Sequence, residues 1–190
     1  MSEGVIIALV IGGLILFIIF CIVCWYISAA NKLHRYVTKI DESESSIDVA
    51  LTKRFDLLTK LVSAVKGYQK HESETFAKIV ELRQPAKGAT MAQKQEFAND
   101  ITAGLKAINV VVESYPQLKA DTQFSKLQDA TVEVEENLQA ARRNYNGNVS
   151  IYNQFIGIFP SSIVANRKGY TKRDFFEAES AKREDVKFDF

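Results

Sequence analysis

Outside one apolar stretch near its N-terminus this chain has no cysteine, for Cys21 and Cys24 are the two it contains. The remainder therefore offers no disulfide framework, no thiolate metal site and no cysteine nucleophile, a composition compatible with the cytosol. Histidine is as scarce, with only His34 and His71. His71-Glu72-Ser73-Glu74-Thr75 begins like a zinc-peptidase helix, but that signature needs a second histidine four residues on, and Thr75 stands there. The segment reads instead as a solvated helix face. There is no glycine-rich phosphate loop and no Gly-x-Ser-x-Gly elbow. Glu133, Glu135 and Glu136 lack the Glu-x-x-His pairing of bundle metal sites and read as a solvated acidic face. We therefore expect no catalytic residue, no metal and no cofactor. A net charge of +1 gives no strong attraction to nucleic acid.

What is present is an apolar run. Val5 to Ile27 has no charged residue across 23 positions, which as a helix is about 35 Å long and long enough for a hydrocarbon core of about 30 Å. Trp25, the only tryptophan, and Tyr26 close it as amphipathic rings do at a headgroup layer. Ser28-Ala29-Ala30 resembles a cleavage site, but the run is too long for a signal peptide and no Lys or Arg precedes it. Phe20 and Val23 stand before the cysteines, where a lipoprotein would carry a small residue. Lys32 and Arg35 follow the run, with Lys39 close behind, so the positive-inside bias puts the N-terminus outside and the C-terminal part in the cytoplasm. The expected location is a membrane, crossed once.

Proline and glycine are sparse enough to punctuate the rest. From Ala29 to Gln84 there is no proline and one glycine, Gly67, while Leu33, Tyr36, Ile40, Ile47, Leu51, Leu58, Val62 and Val65 recur at threes, fours and sevens. That spacing is a helix with one buried stripe, leaving Lys53, Arg54, Asp56 and Lys60 to the solvated face. Pro85 and Gly88 mark a loop. A second helix is expected from about Thr90 to Ser114, stopping before Pro116. A third, capped by Asp121 or Thr122, runs to Pro160. No stretch shows sustained alternation, so no sheet is expected. The fold class is all-α: a single N-terminal transmembrane helix followed by an antiparallel helical bundle with long coiled-coil-like helices. A break near Gly67 makes four bundle helices; a straight first helix makes three. The domain boundaries follow: 1–4 a short tail, 5–28 the transmembrane helix, 29–160 the bundle, and 161–190 a basic and aromatic C-terminal tail.

On the third helix the pair Tyr-Asn occurs twice, Tyr145-Asn146 and Tyr152-Asn153, seven residues apart and so over one stripe. Two readings stay open: a polar strip that sets register with a neighbour, or tyrosines lining the bundle core with their hydroxyls at its edge. Gly147 and Ala141 would let a neighbouring backbone come close. Beyond Pro160, Tyr170, Phe175 and Phe176 are interleaved with Arg167, Lys168, Lys172 and Arg173. This is either a flexible terminus or a docking strip for anionic headgroups or another subunit. Tyr145, Asn146, Tyr152, Asn153, Phe159, Tyr170, Phe175 and Phe176 are the expected interaction residues; Trp25, Tyr26, Lys32 and Arg35 are the expected membrane-interface residues.

Several motifs in this order resemble the bacterial LemA family: Val65-Lys66-Gly67-Tyr68 with His71-Glu72, Glu113 to Ala120, Phe124 with Leu127-Gln128, Arg142 to Asn146 through Tyr152-Asn153 to Phe159-Pro160, and Phe175 to Ala178 with Val186 to Phe190. The resemblance covers about Ala30 to Phe190 and implies an N-terminally anchored membrane protein with an antiparallel four-helix bundle. The family commonly has a proline after its Asp-Leu-Ile triplet; here Thr59 follows Asp56-Leu57-Leu58, which implies a straighter first helix. The expected function is non-enzymatic: a structural or interaction protein that partners the lipid bilayer, forms a homo-oligomer and organises membrane. The alternative is a regulatory adaptor for a heterologous membrane protein such as a transporter or sensor kinase.

Overall fold

A computed structural model of the chain describes residues 3–66, 81–86 and 88–177. The break expected near Gly67, the His71 to Thr75 segment and the terminal Val186 to Phe190 lie outside the described residues, so the choice between three and four bundle helices does too. Among the described residues there are five helices and no strand: α1 (Glu3–Lys66), α2 (Met91–Glu113), α3 (Pro116–Lys119), α4 (Thr122–Gly157) and α5 (Ser161–Arg167).

Each boundary has a local cause. The apolar run and the first amphipathic segment are one uninterrupted helix, because nothing between Glu3 and Lys66 removes a backbone donor. Thr90 starts α2 with a reciprocal cap: its hydroxyl accepts from the Gln93 amide at 3.3 Å, and the Gln93 side chain accepts from the Thr90 amide at 2.9 Å. Pro116 opens α3, where its missing N–H costs nothing. Asp121 caps α4 as expected, its Oδ1 accepting from the amides of Gln123 at 2.7 Å and Phe124 at 3.0 Å. Past Pro160 the expected tail first forms α5. It ends at Gly169, whose φ of 74° is strained for any residue with a Cβ. The amides of Gly169 and Tyr170 then bond back to the carbonyls of Asn166 and Ala165, a Schellman stop that releases the chain in extended form.

The chain divides into two compact units, Met1–Asp41 with Asn148–Arg173, and Glu42–Gly147 with Asp174–Phe190. In the first, α1 and α4 are antiparallel: the Asn148 side chain donates to the Lys39 carbonyl at 3.3 Å, and the rings of Tyr36 and Phe155 meet edge-on at 5.3 Å. Leu33, Ile40, Val149, Tyr152, Ile156 and Val164 form its core. The apolar run is bare: its most hydropathic 18-residue stretch has a mean hydropathy of 2.8 and is 0% buried. In the second unit α2 packs parallel to α1, with Phe97 against Phe55 and Lys94 against Glu44 and Asp48, over a core that includes Ile47, Leu58, Ile101, Ile108, Phe124 and Leu138.

The stripe expected on α1 is the buried one, apart from the half-buried Tyr36. One expectation is corrected. Arg54 is not on the solvated face: it is 4% exposed, because Leu33, Ile40, Ile47, Arg54 and Leu61 stand at sevens on one seam. Gly147 is exposed and, among the described residues, nothing lies within 4 Å of where its Cβ would stand, so no described part of this chain packs on it, whereas Ala141 is buried.

Candidate interaction site

The two Tyr-Asn pairs hold the chain's own C-terminal segment. In the first unit the Tyr152 hydroxyl donates to the Thr171 carbonyl at 2.8 Å. Asn153 grips Arg173 from both sides, donating to its carbonyl and accepting from its amide, each at 2.9 Å. The Tyr152 and Tyr170 rings lie edge to face at 6.4 Å, and Arg173 reaches Asp41 at 3.9 Å. Burial pushes the Tyr152 phenol above its ordinary range, with Arg173 opposing and Tyr170 adding.

The second unit repeats the device. The Tyr145 hydroxyl donates to the Asp174 carbonyl at 3.0 Å, and Asn146 exchanges two hydrogen bonds with Phe176, at 2.9 and 2.8 Å. Phe176 is 2% exposed under the Arg142 guanidinium, 4.5 Å from its ring centre, and the Glu177 amide donates to Gln95 at 3.1 Å. A side-chain amide that donates to and accepts from one residue copies the pairing of a neighbouring strand. It satisfies an extended backbone that no sheet is there to satisfy. Phe176 is thus an internal anchor, while Phe175 and Phe159 face outward, at 44% and 80% exposure.

Of the expected interface residues, Trp25, Lys32 and Arg35 are exposed and Tyr26 is half-buried. The Lys32 ammonium also lies 5.2 Å from the Phe155 ring centre and 5.9 Å from that of Tyr36.

A buried ionic cluster in the second unit is what sequence reasoning missed. Arg54 donates to the Ala98 carbonyl and to the Thr102 hydroxyl, both at 3.0 Å, and pairs with Glu135 at 2.7 Å, so one guanidinium ties α1 to α2 and α4. The reading of Glu135 as part of a solvated acidic face is corrected accordingly. Lys94, 3% exposed, holds Glu44 at 2.8 Å and Asp48 at 2.6 Å. Burial works against its charge, but hydrogen bonds to Asp48 and Glu44 outweigh that and raise Lys94 above its usual value. The signal was available: Arg54 occupies a heptad seam, and Lys94, Ile101 and Ile108 form another at sevens. Charges at such positions fix register. Every member of the cluster is spent on another protein group. Among the described residues no group of three or more His, Cys, Asp or Glu could hold a metal ion.

One bare apolar helix, long amphipathic helices locked by buried charge, and an extended segment clamped by side-chain amides define a membrane-anchored all-helical protein. The chain belongs to the LemA family, whose model matches residues 43–190. It is 28% identical to the Protein LemA of Metamycoplasma hominis over 85% of this chain and 74% of that protein. It is also 23% identical to Magnetosome protein MamQ 2 and to Magnetosome protein MamQ 1 of Paramagnetospirillum magneticum, over 80% of this chain and 68% of each.

Proposed function

We propose that this protein is a non-enzymatic scaffold of the bacterial cytoplasmic membrane that assembles side by side with further copies of itself, its C-terminal part facing the cytoplasm. The observation that carries the reading is an open groove between α1 and α4 of the second unit, where Ser45, Ser46, Val49, Ala50, Ala140 and Ala141 stand beside the larger Lys53, Val134, Asn137 and Asn144. Small side chains let a helix approach closely, and Val49 leaves an apolar side chain 54% exposed there. The buried charges Arg54 and Lys94 are committed to internal pairs, which supports a binding role. Two relatives bear the name of the magnetosome, which favours a part in a larger membrane assembly over action on a small substrate.

The test is thiol crosslinking in native membranes, with Cys21 and Cys24 changed to serine and Val49→Cys as the sole thiol. A product at twice the chain mass, built only of this chain, is expected. Monomer alone would remove the scaffold reading, and a stoichiometric link to a different membrane protein would replace it with the adaptor reading.

A further inference from the structure

Within the first unit, the end of α4 carries an apolar tip that the described residues leave exposed. In the turn that joins α4 to α5, Ile158 is 59% exposed and Phe159 80%, and Ile163 at the start of α5 is 53% exposed. Side chains of this size are costly to leave in water.

The register of the two antiparallel helices places that tip. Asn148 bonds to Lys39, and Phe155 meets Lys32 and Tyr36. Continuing past Phe155 by the same rule brings Ile158 and Phe159 level with Ser28 and Ala29. At 1.5 Å per residue that is within about 6 Å, along the axis, of Trp25 and Tyr26 at the end of the apolar run. Burial on α1 agrees: Trp25, Ile27 and Ser28 are exposed and Tyr26 half-buried, and the first fully buried position after them is Ala29, 7% exposed. Lys32, level with Phe155, is exposed, as are Arg35, Arg167 and Lys168 elsewhere in the same unit. An apolar tip on a unit with exposed basic side chains matches an anionic headgroup layer over hydrocarbon.

We propose that the tip formed by Ile158 and Phe159 in the turn and Ile163 at the start of α5 is a second membrane contact, inserted into the interface of the bilayer that α1 crosses, with phosphate headgroups as the partners of the unit's exposed basic side chains. Anchor and tip then hold the first unit at two points.

Depth-resolved quenching tests this on the full chain in vesicles of phosphatidylcholine and phosphatidylglycerol. Phe159→Trp is placed in a Trp25→Phe background, so that one indole reports. Bromines near the top of the acyl chains are expected to remove most of its emission, with aqueous iodide removing little. Ile151→Trp is the control: residue 151 is half exposed and eight residues back along α4, about 12 Å from the tip. It is expected to respond to iodide and not to bromolipid. Ile163→Trp repeats the test should the first variant fold poorly by circular dichroism. Iodide access at both 159 and 163 would overturn the proposal. So would shielding from both quenchers, which would mean contact with another protein copy, or equal bromolipid quenching at 151, which would deny the tip any special role.

Discussion

Arg54 shows how a single side chain can be worth less than its contacts suggest. Its guanidinium is buried, but Glu135 keeps about a third of its side chain in water, so the carboxylate can be solvated if its partner goes. Removing one partner of a buried pair costs about 3 kcal/mol when the other charge is stranded, whereas an apolar residue of similar shape can be almost neutral. Thermal unfolding of the full chain in detergent should therefore show Glu135→Ala, which strands the guanidinium, and Arg54→Ala, which empties its site, each lowering stability by about 3 kcal/mol, with Arg54→Met within about 1 kcal/mol of the parent. Equal losses for all three would refute the argument. Lys94 and Tyr152 set the pH response. Both hold their protons more tightly in the folded chain than their ordinary values of 10.5 and 10.0. Stability from these groups is thus intact below those values and is lost as pH rises through the higher folded ones. The unfolding midpoint should be indifferent to them between about pH 7 and 9 and should fall above about pH 10, less steeply in Lys94→Met.

At the scale of elements, the spacing of the Tyr-Asn pairs acquires a physical reason. Tyr152 and Tyr145 bond to carbonyls 171 and 174, and Asn153 and Asn146 to residues 173 and 176, so the clamped segment is engaged every third residue. Seven residues of α-helix advance about 10.5 Å, and three residues of a threefold extended chain about 9.3 Å. A heptad of helix therefore matches a triplet of extended chain closely enough for one motif to serve twice. Asn146→Leu with Asn153→Leu, which keeps volume but deletes all four amide bonds, should release residues 171–177 first. Hydrogen exchange should rise at the Arg173 and Phe176 amides while the α2 amides keep their protection; uniform protection would show that the clamps do not hold the segment. The stripe was legible in the sequence because Tyr145 and Tyr152 share a helical period. Its occupant was not, since a segment with no hydrophobic period of its own carries no pairing signal. The boundaries at Thr90, Asp121 and Pro116 were legible from capping chemistry and proline. Arg54 was misread because its charge was weighed by residue type and not by its place in the series 33, 40, 47, 54, 61. The helix Ser161–Arg167 was missed because a basic and aromatic composition resembles a solvated terminus.

For the molecule as a whole, the apolar run and the first buried stripe belong to one helix, so the membrane segment and the folded part are joined without a loop. The span was plain from composition alone, because hydrocarbon demands one long uncharged run. The proposed assembly leaves no comparable mark: a groove lined by Ser, Ala, Val, Asn and Lys looks in sequence like any half-buried helix face. Self-association is accordingly the central claim and has a direct measurement, the particle mass of the full-length protein extracted into native lipid discs at ordinary expression. One chain weighs 21.4 kDa. The account predicts one defined protein mass at a whole multiple of that value, with no other polypeptide in the particle. A particle holding a single chain would contradict it.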